Sequence, residues 1–418
     1  MKILCIVNNV MPKLAEKTGL NGSASGSWLI DITDRLSVDS NVKLAIATVG
    51  GNTFSKTEID GVTYYLLPGT GKNLLFYTKK YEKLWKKISE EFKPDVVHLY
   101  GTEYSHGLSF LRTNSNVPAV VSIQGVLAKI KDVLYDGLPK FFDFRYSTLK
   151  ERLRFGCLRS RILLYKKNSK YEKEILNRVK YASNVNAWDY SATKSMNPNL
   201  KYFQIEYNLR KGFYSAPKWN KDNILSHSIF VAPGSDPVKG LHVLIKAVAN
   251  LKNIYDDISV TVPGIKNVNG KLYPKTGYVK YINKLIKKYG LASNFNFVGN
   301  LSEEQMIDGM LKSNVLVVPS QMEGTSLILR EGAYLGVPTI ASFRGGMADF
   351  IEDKKTGFLY DFFDYDYLSM RLSQIFEDVN LADKLSKNAI SKAEKLHDPD
   401  KNYQDTINMY QQIIKENN

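Results

Sequence analysis

The chain has 418 residues, too many for one ordinary domain and suited to two of roughly 200 residues each. With 44% apolar and 24% charged residues, each half can bury a sizeable core, which excludes disorder as the default reading of any long segment. Lysine and arginine outnumber the acids 57 to 42; the resulting net charge of +15 favours phosphorylated ligands, anionic membrane surfaces or nucleic acid without choosing among them.

The chain opens with an apolar run, Ile3 to Val7, too short for a secretory signal core, which reads as a first buried strand. Cys5 lies inside it as a small buried hydrophobe. With Cys157 the only other cysteine, neither a disulfide framework nor a cysteine metal site is expected. Further strands are predicted at 42–47, 62–67, 95–99 and 119–123. Between them, Tyr77, Tyr81, Leu84, Trp85 and Ile88 recur at helical spacing and predict a helix over 77–92. Residues 185–187 and 202–205 read as later strands.

One segment breaks this rhythm. From Lys140 to Lys180 there are thirteen basic residues against four acids, interleaved with Phe141, Phe142, Phe144, Tyr146 and Phe155. A basic amphipathic helix pair suits an anionic membrane or an acidic acceptor; a solvated helix face over an ordinary core suits the same pattern.

The second half restarts the alternation. Strands are predicted at 228–232, 258–262, 295–298, 315–318 and 339–341, with helices at 240–251, at 278–289 and from Ser302 and Ser326. A final amphipathic helix covers 402–415. Short strands alternating with helices signal α/β architecture with parallel sheets, here two doubly wound Rossmann-like domains. The first is read as 1–208 and the second as 209–399. Ligands of such sheets sit beyond the carboxyl ends of the strands, so two facing domains place one cleft between those ends.

The densest constellation runs from Val315 to Asp349. A buried strand ends at Pro319-Ser320, a loop carries Glu323-Gly324-Thr325-Ser326, and a helix follows. The amides of Thr325, Ser326 and Leu327 are left without intrahelical partners and point towards an anion, while Gly324 permits close backbone approach. Glu323 and Glu331 flank that anion site as acceptors for sugar and ribose hydroxyls. Taken singly, each is also an ordinary acid near a helix start. A second motif, Ala232-Pro-Gly-Ser-Asp-Pro-Val-Lys239-Gly240, places Lys239 between a strand and a helix, where it can neutralise phosphate.

At these residues the chain resembles the retaining GT-B glycosyltransferases of glycosyltransferase family 4 (group 1), including bacterial surface-polysaccharide members. Their pattern is E-G-x-x-L-x-x-x-E-A-x-x-x-G-x-P. Glu323, Gly324, Leu327, Glu331, Gly336 and Pro338 match it, with Gly332 in place of the usual alanine. The resemblance implies that Glu323 contacts the donor sugar, Glu331 the ribose, and the backbone of Gly324, Thr325, Ser326 and Leu327 the diphosphate. It assigns Lys239 to the diphosphate, so that Glu323 and Lys239 carry the catalysis. Ser235 joins the donor site where many relatives carry an arginine; either one cation is missing or another residue such as Arg210 supplies it. Gly299 and Asn300 match the turn beside the base. In the first half, Gly26 and Ser27 follow the first strand like the family's glycine-rich phosphate loop. Glu103 is an acceptor-site candidate, and Gln124 stands where many relatives have a histidine. Gln124 cannot titrate, and His106 is the nearest titratable alternative. The family also implies that a C-terminal helix, 400–418, returns to the first domain.

The implied reaction is transfer of a sugar, with retention, from a nucleotide-sugar substrate, UDP-linked by default, to a saccharide or lipid-linked saccharide. No cofactor and no metal are expected: Asp364-Tyr-Asp366 imitates a metal-binding D-x-D but sits where a helix N-cap belongs. The expected place is the cytoplasm, peripheral on the inner face of the membrane through 140–180. Nucleic acid is not an expected partner. The competing readings are a sugar-nucleotide epimerase or phosphorylase on a similar fold, a basic nucleic-acid-binding protein, and a protein that binds donor without turnover.

Overall fold

The computed structural model describes residues 1–20, 27–184, 186–268, 271–272 and 276–417. It forms two compact units: Met1–Lys129 with Tyr165–Asn208 and His397–Asn418, and Ile130–Leu164 with Leu209–Leu396.

The first unit is built on β1 (Lys2–Ile6), β2 (Lys43–Gly51), β3 (Ser55–Ile59), β4 (Val62–Pro68), β5 (Val96–Tyr100), β6 (Ala119–Ser122), β7 (Tyr181–Asn184) and β8 (Lys201–Gln204). Among the described residues they form one sheet in the order β3-β4-β2-β1-β5-β6-β7-β8. All neighbours are parallel except β3, which pairs antiparallel with β4. β1 explains why its run is apolar throughout rather than alternating: Leu4 and Ile6 enter one core with Ala47, Trp85 and Phe110, while Ile3, Cys5 and Val7 enter another. Both faces are covered, as parallel sheets require. The second core takes Ile407, Met409, Tyr410 and Ile413 from the C-terminal helix Pro399–Lys415. Burial pushes the Cys5 thiol up to about 12, so it packs as an apolar side chain.

The strand expected at 185–187 lies earlier, at β7. Asn186 accepts the Asp189 N–H at 2.8 Å and caps the helix Ala187–Lys194, so the chain has turned by that point; Val185 lies outside the described residues.

The second unit has β9 (Leu225–Val231), β10 (Ser259–Pro263), a two-stranded ribbon of β11 (Asn267–Val268) and β12 (Lys271–Leu272), then β13 (Phe295–Gly299), β14 (Ser313–Val318), β15 (Thr339–Ser342) and β16 (Phe358–Tyr360). The main sheet runs β13-β10-β9-β14-β15-β16, every neighbour parallel. Helices such as Leu241–Leu251, with Leu241, Leu244, Ile245 and Val248 buried, complete its core. Asp364 caps the helix Tyr365–Glu377 by accepting the Tyr367 N–H at 2.8 Å, and Asp366 accepts from Asn250 at 2.7 Å.

Residues 130–164, read from sequence with the first domain, group instead with the second. The reason is packing: Phe142 and Leu158 are buried in its core, the rings of Phe142 and Tyr146 lie against Tyr281, and the Gly277 N–H donates to Glu151 at 2.8 Å. The basic segment is therefore two short helices, Phe142–Tyr146 and Leu149–Leu153, followed by the long helix Leu158–Arg178, rather than a helix pair.

Candidate functional site

Two loops at the carboxyl ends of adjacent strands β9 and β14 carry the acidic and basic residues of the second unit. After β9, Asp236 accepts the Val238 N–H at 3.0 Å and starts a single turn, Pro237–Lys239. Gly240 then takes φ +69°, where an added Cβ would stand 1.7 Å from the Pro319 carbonyl oxygen, so the two loops meet backbone to backbone only through glycine. Gly345 does the same for the second loop: at φ +58° its missing Cβ would lie 2.1 Å from the Glu323 carbonyl oxygen, which accepts the Gly346 N–H at 2.9 Å.

This backbone contact brings Lys239 to Glu323. The ammonium donates to Glu323 Oε1 at 2.6 Å, and Ser320 Oγ donates to the same oxygen at 2.7 Å. Burial acts to lower the Lys239 pKa, but the Glu323 carboxylate outweighs it and holds the group above its ordinary value. Beyond Glu323 the helix Leu327–Leu335 begins at Ser326 with no side-chain cap and no acidic residue in its first turn. Thr325 Oγ1 is buried beside that start without a hydrogen-bond partner. Amide donors, a hydroxyl and a nearby ammonium together suit an anion with several oxygens.

Glu331 lies inside the same helix and is buried. Arg210 grips it with two parallel bonds, Nε to Oε1 at 2.7 Å and Nη2 to Oε2 at 2.8 Å. Burial raises the Glu331 pKa, and the guanidinium opposes that rise. Arg210 is thus committed to Glu331 and does not fill the cationic position left by Gly234-Ser235. Ser235 is exposed. Gly299 ends β13 at φ +75°, exchanging backbone bonds with Gly264 and Ile265 at 2.7 and 2.9 Å, and Asn300 follows it exposed. Ser235, Gly299 and Asn300 stand, with Lys239 and Glu323, beyond or at the carboxyl ends of strands of one sheet.

In the first unit, Gly26 lies outside the described residues, and Ser27 opens the helix Ser27–Val38. Glu103 and Gln124 come together across Gly101, whose missing Cβ would lie 2.4 Å from Glu103 Oε2 and 3.3 Å from Gln124 Oε1. Glu103 Oε2 is buried and unpartnered. Burial, reinforced by the negative charge of Glu172, pushes its carboxyl up to about 7. His106 starts the helix His106–Thr113 and is buried, its imidazole lowered to about 4 by that burial. It therefore reads as a core histidine. His98 is bonded to Tyr410 and Ser122, each at 2.6 Å, and burial lowers it to about 3.

Two contacts have no signal in residue spacing. Ser320, read only as a strand end, orients Glu323. Arg161, one cation of a basic run, pairs with Asp236 through Nη1 to Oδ2 at 2.7 Å and Nη2 to Oδ1 at 3.4 Å, next to the turn carrying Lys239. Among the described residues no three histidine, cysteine or acidic side chains stand close enough to hold a metal, and no helix is long and apolar enough to cross a membrane.

Comparison with known proteins places this site in a recognisable segment. Residues 227–392 match the family model described as glycosyl transferases group 1. The chain is 28% identical over 160 residues to a D-inositol 3-phosphate glycosyltransferase of Streptomyces avermitilis, covering 38% of this chain and 34% of that one. It spans about a third of the length of the curated relatives it matches first. Among solved structures it is similar over 100% of both chains to sucrose-phosphate synthase from Thermosynechococcus elongatus, with a TM-score of 0.72 at 16% identity. It is also similar to Anabaena HepE in complex with UDP and glucose, with a TM-score of 0.66 at 15% identity over 98% of this chain and 99% of that one. The fold is therefore GT-B, two Rossmann-like units each with a mainly parallel sheet.

Proposed function

We propose that the protein is a retaining glycosyltransferase that moves a sugar from a nucleoside diphosphate donor to an acceptor hydroxyl in cell-surface polysaccharide or glycoconjugate assembly. The observation that carries this reading is the convergence of an uncapped helix start, Lys239 and Glu323 inside the segment that matches the group 1 family model. The UDP complex of a structural neighbour, Anabaena HepE, makes UDP the first nucleotide to test.

In this reading the diphosphate lies on the amides of Gly324 to Leu327, with Thr325 Oγ1 adding a donor and Lys239 neutralising charge. Both bonds to Glu323 fall on Oε1, which leaves Oε2 for a donor-sugar hydroxyl. Glu331, its direction fixed by Arg210, accepts from ribose on a remaining lone pair. Gly299 and Asn300 take the base, and Ser235 lines the phosphate side. The acceptor oxygen attacks the anomeric carbon on the face the diphosphate leaves; the bond from carbon to phosphate oxygen breaks, and the acceptor proton passes to that phosphate oxygen. Lys239 and the helix amides stabilise the charge that develops there, the large term in such catalysis. No metal enters. Gly26, Ser27, Glu103 and Gln124 of the first unit are assigned to the phosphate loop and to a saccharide or lipid-linked saccharide acceptor. The place of action is the cytoplasmic face of a membrane.

Thermal unfolding of the wild type and Lys239→Ala against a panel of UDP-, GDP-, ADP- and dTDP-sugars tests the proposal. A donor at a hundred times its Kd adds about 2.7 kcal/mol to stability. One nucleotide class should raise the wild-type melting temperature, and Lys239→Ala should need at least about ten times more of it, the loss of one charge-assisted contact. No shift with any donor, beside tight salt-sensitive binding of arbitrary DNA, would overturn the transferase reading.

A further inference from the structure

The stretch 140–156 of the second unit sorts its side chains by chemistry. Phe142 is buried in the core, Tyr146 packs on Tyr281, and Glu151 accepts the Gly277 N–H. Turned out to solvent are Phe141 and Phe144, each 80% exposed, Leu149 and Leu153, each 72%, and Phe155, 81%. Lys140, Arg145, Lys150, Arg152 and Arg154 are exposed between them. The two acids of the stretch are both engaged: Asp143 accepts from the backbone of Leu158 and Arg159 at 3.1 and 2.8 Å, and Glu151 closes a capping box with Thr148. Five large apolar groups and five cations thus meet solvent with no free carboxylate among them.

Two of the phenylalanines carry a second cost. Phe141 at φ +58° and Phe155 at φ +53° occupy the left-handed backbone region that favours glycine or asparagine. A bulky aromatic residue kept both in strained backbone and in water points to a use for the ring outside the folded core.

We propose that this face seats the protein on an anionic lipid bilayer, with the five apolar side chains entering the boundary between headgroups and acyl chains and the cations pairing with lipid phosphates. The chemistry separates this occupant from others. Leu149 and Leu153, one helical turn apart, offer nothing to a nucleic-acid backbone. A symmetric pairing of two copies through this face would bring five cations against five. Beyond this stretch the long helix Leu158–Arg178 packs through its acids: Glu172 accepts from Thr102, Leu127 and Ala128, and Glu174 pairs with Arg112 and Arg178. The docking surface is set by the exposed apolar side chains of 140–156 and is carried by the unit that holds Lys239 and Glu323. It goes beyond the transfer reaction and does not depend on it.

Co-sedimentation of the full chain with vesicles of phosphatidylcholine alone, or with about one-third phosphatidylglycerol, tests it. The wild type should sediment with the anionic vesicles only. Lys150→Gln with Arg152→Gln and Arg154→Gln should weaken binding about a hundred-fold, from roughly five-fold per cation. Phe141→Ser with Phe144→Ser and Phe155→Ser should abolish the binding that survives high salt while leaving the melting temperature intact. Binding equal to wild type in both variants, or no vesicle binding by the wild type, overturns the proposal. So does a dimer, or RNA binding without vesicle binding, that disappears with the phenylalanine triple. The donor-induced melting shift, read on the same samples, separates failure here from failure of the transferase reading.

Discussion

The candidate site of each unit holds its glutamates in a different way. In the second, Glu331 lies against the Arg210 fork at 2.7 and 2.8 Å, and Glu323 against Lys239 at 2.6 Å. In the first, Glu103 stands beside Gln124 with its Oε2 buried and unpartnered, and its pKa rises to about 7. An ion pair fixes a carboxylate's direction, which suits a group that holds a ligand. Desolvation without a cation leaves a carboxyl that changes charge near neutral pH, which suits a group whose proton matters.

The comparison breaks most visibly at Arg210. Removing it as Arg210→Ala strands the Glu331 carboxylate in the interior and should cost about 3 kcal/mol or more in urea unfolding. The paired replacement Arg210→Met with Glu331→Leu should recover most of that stability, because an apolar pair of similar volume carries no desolvation penalty. On the proposed reading donor binding should not recover, because Glu331 is the group assigned to the ribose. A double variant as unstable as the single one would mean that the loss comes from packing around Phe213, over which the guanidinium also lies, and not from the stranded charge.

A smaller effect, of opposite sense, is expected at Glu103. Its pKa is raised from 4.5 to about 7, so between those values the folded chain holds a proton that the unfolded chain has released. Stability then falls as pH rises through that window, by at most about 3 kcal/mol. Glu103→Gln keeps the shape and removes the titration; its stability should be flatter from pH 5 to 8 and higher than wild type at pH 8. Parallel pH profiles of the two proteins would remove Glu103 as the source.

The same contrast explains what was legible in the sequence. The second unit's motif is local: Glu323, Gly324, Leu327 and Glu331 fall within one loop and one helix, so their spacing already predicts an anion site flanked by acids. Strand runs such as 315–318 are apolar on both faces because helices cover both, and they read off directly. Contacts across sequence do not. Nothing in the spacing of Arg210 or Ser320 says which carboxylate each will meet, and the domain boundary was displaced because charge and aromatic content hid which residues of 130–164 turn inward. Phe142 and Leu158, two apolar residues among many in that segment, decide the packing.

Arg161 offers the finest test. It holds Asp236 by two bonds, and Asp236 in turn caps the turn that presents Lys239. Both partners are partly exposed, so Arg161→Gln should cost only about 1 kcal/mol of stability. Its effect on donor affinity separates two roles. As a positioning residue, Arg161 acts only through Asp236, and Asp236→Asn, which keeps an acceptor for the Val238 N–H, should match Arg161→Gln in Kd and in salt dependence. A guanidinium that itself meets the proposed diphosphate would make Arg161→Gln lose more affinity than Asp236→Asn and flatten its salt dependence. The geometry favours equality, because the short bond of Arg161, at 2.7 Å, is made to the Asp236 carboxylate.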